Sequence, residues 1–442
     1  MSLFEQGNSY YLTSNYQKAK DCYVQALQTE PDSLLIKYNL GLTCYALGEN
    51  ELALRYINDP ANNNFAEGLI SRGAINRALG RYYESLRDFG LSIAYNPESS
   101  KSHYNYGNVL REFGRPELGL HFCRVGQVLE PNNSTAHMNE AISLLLAGEL
   151  VAGWEKYEWR WNYEEQDGKK PQLNGPEWNG ESLQNKTILV YSEQGLGDSL
   201  QFVRYLPMLE RLGAKIIFIT RPQLSKLFKA NYNYDIREFG TEIEEFDYHC
   251  ALMSLPRVFK TTMNTIPNEL SYISINEADK QQWKARLGPK IKPRIGIVWK
   301  TNVISGTNRF KSMDLKDLIN VVSDRYQFIS LAIDIEDADG TLLKQYGVES
   351  YAHCISDFHD TAGLVANLDL VITIDTAMAH LAGAMGVRTW VMLPKYGVDW
   401  RWFLNRSDSP WYPNSTLIRQ ADINDWSSVV SNIKSRLQSV DF

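Results

Sequence analysis

The 442-residue sequence lacks three features that would each assign it to a narrow class. Its five cysteines form no CxxC pair, which argues against a zinc site or a disulfide framework and favours a reducing compartment. No apolar run reaches the roughly 18 residues of a membrane span, and no basic segment followed by an apolar one suggests a signal peptide. The net charge of −7 predicts no general attraction to nucleic acid. We therefore expect a cytoplasmic protein with no transmembrane segment and no nucleic-acid partner.

The first third of the sequence repeats with a period near 34 residues. One set of glycines is spaced by 34, 32 and 34 residues, at Gly7, Gly41, Gly73 and Gly107. A second glycine lies seven residues after the last three of these, at Gly48, Gly80 and Gly114, and Gly148 continues the series. An apolar residue follows each first glycine by sixteen, at Tyr23, Ile57, Phe89 and Cys123. Prolines 24 residues after the first glycine occur at Pro31, Pro97 and Pro131. This pattern is typical of tetratricopeptide repeats, in which paired helices approach at the first glycine, turn at the second and end at the proline.

Residues 162–186 are polar and contain Gly and Pro, which indicates a linker. Beyond it, apolar runs alternate with helical segments, beginning with a strand at Thr187–Tyr191 and a helix from Asp198 to Leu212. A second series begins at Ile295–Trp299 and continues through strands at 370–374 and 389–393 to a helix at 422–437. Alternating strands and helices predict parallel sheets. Two such series predict two doubly wound domains facing a cleft.

Two segments follow predicted strands and open predicted helices. The first is Gln194-Gly195-Leu196-Gly197-Asp198, whose glycines allow close approach of a ligand to a helix N-terminus. The alternative is a tight turn with Asp198 as an N-terminal helix charge. The second is the Asp375–Ala384 segment DTAMAHLAGA, where amides, a hydroxyl and an imidazole are placed to meet a diphosphate. Its alternative is a capped helix with His380 packed in the core.

Three further segments carry chemistry-bearing side chains. Lys300, Arg309 and Lys311 lie in a basic stretch after a strand, which suits phosphates, although a solvated loop also fits. The D-x-D at Asp337–Asp339 suggests a metal in some glycosyl transfer, but we expect it to begin a helix and predict no metal. The aromatic-rich stretches at 398–402 and 409–413 fit either a stacked base or sugar, or core packing.

The segments EQGLGDSLQFVRYLPML, RIGIVWKTN, NRFKSMDL, DLVITIDTAMAHLAGAMG and DWRWFLNRSDSPWYP together resemble the bacterial tetratricopeptide-containing glycosyltransferases. The catalytic half of that group is related to the family 9 heptosyltransferases, and the resemblance covers essentially the whole chain. It implies a tetratricopeptide α-solenoid followed by a GT-B-type pair of Rossmann-like, doubly wound domains. The architecture is also similar to that of the O-linked N-acetylglucosamine transferases, without a close sequence match. The boundaries we predict are repeats over 1–161, a linker over 162–186, an acceptor-side domain over 187–290 and a nucleotide-sugar-side domain over 291–442.

The resemblance also implies the site. Asp198 matches the proposed general base, and Gly197 precedes it in the donor-facing loop. Lys311 matches the lysine that binds donor phosphate by its following Ser-Met-Asp, with Arg309 as a neighbouring candidate. The D-T-x-x-x-H motif extends donor contacts to a last set of residues, Asp375, Thr376, Ala377 and His380. Ala377 stands where heptosyltransferases commonly have glycine, so a heptose donor is not implied.

The implied activity is an inverting, metal-independent transfer of a sugar from a nucleotide-sugar to an acceptor hydroxyl, with no cofactor. The repeats predict a protein acceptor or a sister subunit as partner, so a homo-oligomer is one of the expected arrangements. Two alternatives stay open. One is a non-catalytic tetratricopeptide adaptor with a degenerate nucleotide-binding module. The other is a heptosyltransferase-like enzyme acting on saccharides.

Overall fold

The computed structural model describes residues 1–58, 65–163, 170–242, 245–301 and 310–442. These residues fall into two compact units, Met1–Leu144 and Leu145–Phe442. The first is helical, and the second contains helices and parallel strands. The fold class predicted from the sequence is therefore confirmed, while the finer boundaries at 161, 186 and 290 remain predictions.

The first unit consists of helix pairs joined by tight turns. Its helices are α1 (Leu3–Leu12), α2 (Tyr16–Thr29), α3 (Leu34–Ala46), α4 (Asn50–Ile57), α5 (Ala66–Ala78), α6 (Tyr82–Tyr95), α7 (Ser100–Glu112), α8 (Pro116–Leu129) and the greater part of α9 (Ser134–Ala147). Such a pair cannot bury its apolar face alone, so stacking of successive pairs supplies the core.

The first glycine of each repeat lies where its partner helix comes closest. A Cβ on Gly107 would lie 2.7 Å from the carbonyl oxygen of Gly119 and 2.9 Å from Sγ of Cys123. The same position contacts the residue sixteen further on in the other repeats, namely Tyr23 at Gly7, Ile57 at Gly41 and Phe89 at Gly73. The repeat period in the sequence therefore reflects one helix–helix packing contact that recurs in each repeat.

The turn position seven residues after the first glycine has a left-handed backbone, with φ +57° at Ser14 in the first repeat and glycine at the later turns. The φ angles are +79°, +74°, +79° and +87° at Gly48, Gly80, Gly114 and Gly148. In this left-handed region a Cβ is costly, which explains why glycine recurs there. Helices α2, α6 and α8 each end two residues before a proline, at Thr29, Tyr95 and Leu129. The sequence Asn58-Asp59-Pro60 predicts an interruption of the second helix of the second repeat. Helix α4 ends at Ile57, and Asp59 and Pro60 lie outside the described residues.

The second unit begins with the end of α9 and with α10 (Leu150–Tyr157), followed by two strand–helix series. The first series has β1 (Thr187–Tyr191), α11 (Leu196–Phe202), α12 (Leu206–Arg211), β2 (Lys215–Thr220), α13 (Pro222–Asn231), β3 (Asp235–Glu238), β4 (Tyr248–Ala251) and α14 (Leu255–Val258). The second has α15 (Glu277–Leu287), β5 (Arg294–Val298), α16 (Leu315–Leu318), β6 (Gln327–Ser330), α17 (Asp337–Gln345), β7 (Glu349–Ser350), α18 (Phe358–Val365), β8 (Leu370–Ile374), α19 (Ala377–Ala384), β9 (Thr389–Leu393), β10 (Ser415–Arg419) and α20 (Trp426–Ser439). No helix in the described ranges is long and apolar enough to cross a membrane.

Both sheets of the second unit are parallel in their described strands. The first has the order β3-β2-β1-β4, and the second has the order β10-β9-β8-β5-β6-β7. In each sheet the first strand in the chain lies between neighbours reached in opposite directions, β1 between β2 and β4, and β5 between β6 and β8. At such a reversal the crossover helices lie on opposite faces and leave a crevice at the carboxyl ends of the strands.

Two predicted helices differ from the structure, and strand β10 was not predicted. The helix expected over 198–212 is divided into α11 and α12 by a 3₁₀ turn at Val203–Tyr205. Pro207 lies in the first turn of α12, where its missing N–H needs no partner. The final helix begins at Trp426 rather than Asp422. The short edge strand β10 was missed because threonine and arginine dilute its apolar character.

We expect Gly107→Ala to destabilise the chain by about 1–3 kcal/mol, because the new methyl overlaps the backbone of α8. Gly90→Ala is the matched control, since a Cβ there would meet only Cε2 of Tyr106, at 3.8 Å. Thermal unfolding of both variants checks this. Equal midpoints for the two would contradict the packing argument.

Candidate functional site

The loop after β1 is held in an uncommon conformation. Gln194 has φ +59°, in the left-handed region. Its carbonyl oxygen accepts hydrogen bonds from Nε and Nη2 of Arg221 at 3.1 and 2.5 Å. Gly195 caps α11, and its N–H donates to Oδ2 of Asp198 at 2.7 Å. The Asp198 carboxylate is thereby fixed at the N-terminus of α11.

The segment after β8 meets the basic stretch after β5. Asp375 follows β8 directly, and its Oδ2 lies 2.5 Å from Nζ of Lys311. Lys311 lies near the end of β5 because the Met313 N–H, two residues further on, donates a 2.9 Å hydrogen bond to the Trp299 carbonyl. This ion pair therefore lies at the reversal point of the second sheet, between β5 and β8. Thr376 caps α19 by accepting the Met378 N–H at 3.3 Å.

The two motifs, about 180 residues apart in sequence, pack against each other. A Cβ on Gly197 would lie 2.7 Å from Cδ2 of His380 and 3.4 Å from Cα of Ala377. Only a residue without a side chain lets α11 approach α19 this closely. The loop that carries Asp198 therefore contacts the first turns of the helix that follows Asp375.

His380 is itself a packed residue, only 5% exposed. Its Nδ1 shares a 2.7 Å hydrogen bond with the hydroxyl of Tyr412, and its ring stacks on Trp402 with centroids 5.5 Å apart. Burial, reinforced by the charge of Arg401, lowers the pKa of His380 to about 3. These contacts are those of the core-histidine alternative. In this structure the imidazole is neutral and supports the Gly197 loop.

Arg401 joins these parts. Its Nη2 donates to Oδ1 of Asp198, and its Nε donates to Oε1 of Gln201 at 2.8 Å. Its Nη1 lies 3.0 Å from Oδ1 of Asp399, and its guanidinium stacks over Trp400 at 4.2 Å from the ring centroid. Arg401 belongs to the connection between β9 and β10, whereas Asp198 and Gln201 belong to α11. The guanidinium is thus a direct polar link between the two sheet series.

The cluster shifts the ionisation of its members. Burial raises the pKa of Asp198, and this outweighs the opposing effect of Arg401 and of the Gly195 N–H. Burial opposes the charged form of Lys311, but the Asp375 carboxylate outweighs it and raises the Lys311 pKa. Burial also disfavours an ionised Asp399, yet Arg401 and Lys311 lower its pKa on balance. Burial therefore leaves the pKa of Asp198 raised on balance, which is the direction a general base at neutral pH requires.

The structure brings together most of the site residues predicted from sequence, namely Gly197, Asp198, Lys311, Asp375, Thr376, Ala377 and His380. Arg309 lies outside the described residues. Lys300 is directed elsewhere, to Glu336 and Asp339 at 3.0 Å each. Asp337 begins α17, as expected. Within the described ranges, no three His, Cys, Asp or Glu side chains gather as metal ligands.

Sequence reasoning missed Gln201, Asp399 and Arg401 as members of the site. The DWRW segment was noted only for its aromatic residues, and the packing interpretation of those residues holds: Trp400, Trp402, Trp411 and Tyr412 are all buried. The available signal was the Asp399-x-Arg401 pair, because a charged pair among such large apolar residues must be buried and therefore paired. Its partner, 203 residues away, was not readable from the sequence.

Comparison with known proteins supports the repeat assignment. A tetratricopeptide repeat model matches residues 1–33. Protein FlbA of Caulobacter vibrioides is 24% identical over 494 residues, covering 96% of this chain and 82% of that protein. Human tetratricopeptide repeat protein 6 is 26% identical over 129 residues, covering 29% of this chain and 25% of that protein. The predicted tetratricopeptide repeats are thereby confirmed.

Solved structures are similar at a lower level. A glycosyl transferase family 9 protein from Veillonella parvula has a TM-score of 0.44 at 12% identity, covering 60% of this chain and 92% of that one. A thermophilic TPR protein from Thermus thermophilus has a TM-score of 0.34 at 18% identity, covering 37% of this chain and 91% of that one. At these similarities, an activity must be argued from the chemistry of the site.

We expect His380 to make stability depend on pH. The unfolded imidazole takes up a proton below pH about 6.5, whereas the folded one, with a pKa of about 3, does not. Its contribution is therefore complete above pH about 6.5 and is progressively lost as the pH falls toward 3. From pH 7.5 to 5.5 the loss is about 1–2 kcal/mol.

Unfolding midpoints of wild type and His380→Asn across this range measure the effect. Asparagine places a polar atom near the position of Nδ1 without titrating, so the variant is expected to show the smaller decline. An identical decline in both proteins would show that His380 is protonated in the folded state.

Proposed function

We propose that the chain is a glycosyltransferase that moves a sugar from a nucleotide-sugar to an acceptor hydroxyl. The observation that carries the proposal is the convergence of a partly buried carboxyl, Asp198, with the Lys311–Asp375 pair at the reversal point of the second sheet. Parallel sheets bind ligands at such points. The cluster supplies a base from one sheet series and phosphate-binding groups from the other.

In the proposed reaction Asp198 accepts the proton of the acceptor hydroxyl as its oxygen attacks the anomeric carbon. The bond from that carbon to the nucleoside diphosphate breaks, and attack from the opposite side inverts the configuration. A carboxyl with a raised pKa holds the transferred proton better than an exposed aspartate does. The fixed hydrogen bond from the Gly195 N–H keeps the carboxylate in place during the attack.

The departing diphosphate gains negative charge, which Lys311 and the N-terminus of α19 are placed to stabilise. The Asp375 carboxylate keeps Lys311 protonated and oriented in spite of its burial. Thr376 and Ala377 open α19, so they present its first turn to the donor. With these groups neutralising the phosphates, we propose a transfer that needs neither a metal nor a cofactor.

The repeats indicate what is modified. Tetratricopeptide arrays present extended surfaces to other proteins, and the match over residues 1–33 supports such a partner. We therefore propose a protein acceptor recruited by the repeats in the cytoplasm, with a sister subunit as another use of the same surface. A saccharide acceptor would make the array unnecessary.

One observation favours the adaptor alternative. Lys311 and Arg401 are both already paired with carboxylates, Lys311 with Asp375 and Arg401 with Asp198 and Asp399. A donor diphosphate must therefore share these cations. If it cannot compete with the internal carboxylates, the module binds no nucleotide and the repeats alone carry the function.

We expect one family among UDP-, GDP-, ADP- and dTDP-sugars to raise the unfolding midpoint, and EDTA to leave the rise unchanged. A ligand at 100 times its dissociation constant adds about 2.7 kcal/mol. Lys311→Met with Asp375→Asn removes the charge pair together, so that no buried charge is stranded, and is expected to weaken binding about tenfold or more. Lys300→Met, in the same basic stretch, is the control expected to bind normally. No stabilisation of the wild type by any nucleotide would favour the adaptor.

We expect Asp198→Asn to reduce nucleoside diphosphate release from the stabilising nucleotide-sugar by about 10²- to 10⁴-fold, because the base is lost while the shape is kept. Binding of the nucleotide is expected to persist. Asp337→Asn, in the D-x-D that begins α17, is the matched control and should keep full activity in the presence of EDTA. Full activity of Asp198→Asn would remove Asp198 from the mechanism.

A further inference from the structure

Arg401 lies in the second sheet series and forms hydrogen bonds through all three of its guanidinium nitrogens, two of which reach α11. Nε and Nη2 engage Gln201 and Asp198, which are three residues apart and so lie on the same face of the helix. Nη1 remains with Asp399, two residues before Arg401 in its own loop. A fork of this kind fixes the orientation of a carboxylate as well as its charge.

Arg401 is itself held firmly. It is 6% exposed, and its guanidinium lies 4.2 Å from the ring centroid of Trp400 and 6.0 Å from that of Phe202. Asp399 and Asp198 outweigh its burial and raise its pKa, so the guanidinium stays charged. A buried cation of this kind cannot leave the cluster without stranding two carboxylates, which opposes its release.

We propose that Arg401 is the positioning residue of Asp198, holding the ionised carboxylate in place from the opposite sheet series. The role of Asp198 as a base rests on the proposed function, whereas the effect of Arg401 on the ionisation of Asp198 does not. As a consequence, the Asp198 carboxylate is held in its orientation only while the Arg401 loop of the second sheet series packs against α11. Removing the guanidinium should raise the pKa of Asp198 by about one to three units.

The other charged groups facing Asp198 do not replace Arg401. Asp399, from the Arg401 loop, and Asp375, from the end of β8, both raise its pKa. Tyr157 of α10 lies close enough to interact with Asp198, but its own pKa is raised by burial to about 12, so it is neutral at physiological pH. His380 of α19 is also neutral there. Lys311 is engaged with Asp375.

An infrared titration of the full chain with carbon-13-labelled aspartate tests the proposal without any substrate. The protonated-carboxyl band of Asp198 is the one absent from Asp198→Asn. In Arg401→Met the midpoint of this band is expected to rise by about one to three pH units, and in Arg401→Lys by less, because the charge is retained and the fork is lost. Arg406→Met is the matched control, since Arg406 is in the same connection and pairs with Asp408.

If Arg401→Met does not fold, Gln201→Leu carries the test. It keeps every charge and removes the carboxamide whose oxygen receives the Arg401 Nε–H, so a smaller rise of the same sign is expected. If the midpoint of the Asp198 band does not move in the folded Arg401 variants, the proposal is overturned. If Arg401→Met does not fold, an unmoved midpoint in Gln201→Leu has the same consequence. A midpoint that moves as expected, with no nucleotide-sugar consumed by the wild type, would uphold the positioning role and reject the transferase.

Discussion

The contact between Asp198 and Arg401 is the constraint on which the site depends. Three carboxylates (Asp198, Asp375 and Asp399) and two cations (Lys311 and Arg401) share one largely buried cluster. In a low-dielectric setting each charge is tolerable only if it is paired, so the positions of these five groups are mutually determined. The cluster has one more negative than positive charge, which disfavours ionisation of all three carboxyls at once, and burial adds to this at Asp198. Its raised pKa follows from this arrangement as a whole.

Close helix approach recurs in both units and is achieved in the same way. In the repeats, Gly107 and Gly119 allow the backbones of α7 and α8 to come into contact, and Gly107 also leaves room for the side chain of Cys123. In the site, Gly197 lets α11 rest on His380, and Gly383 gives the ring of Tyr412 room against α19. Gly197 thus acts as a packing residue. Because His380 and Tyr412 fill the space behind it, the start of α11 has a firm support.

The segment that ends the helical repeats contributes to the same site. Within the second unit, Trp154 of α10 makes edge contacts with Phe202 and Trp400, which flank the Asp198–Arg401 pair. The Tyr157 hydroxyl donates to Oε1 of Gln194 at 3.1 Å, at the start of the loop that leads to Asp198. The predicted boundary at 161 groups α10 with the repeats, whereas its side chains belong to the packing around α11. Sequence periodicity groups α10 with the preceding repeats. Only the packing of its side chains shows that it lies against α11.

The sequence by itself determined the repeating helix pairs and the parallel sheets, and it named most of the candidate residues that the structure places together. Each of these follows from local chemistry: glycine where φ is positive, contact positions sixteen residues apart in each helix pair, and polar residues where apolar strands end. Tertiary structure alone decided that Arg401 holds Asp198 and that Lys311 is paired with Asp375. It also decided that His380 supports the loop as a neutral core residue. These outcomes depend on which charges are buried together, and burial is a property of the packed chain rather than of any segment.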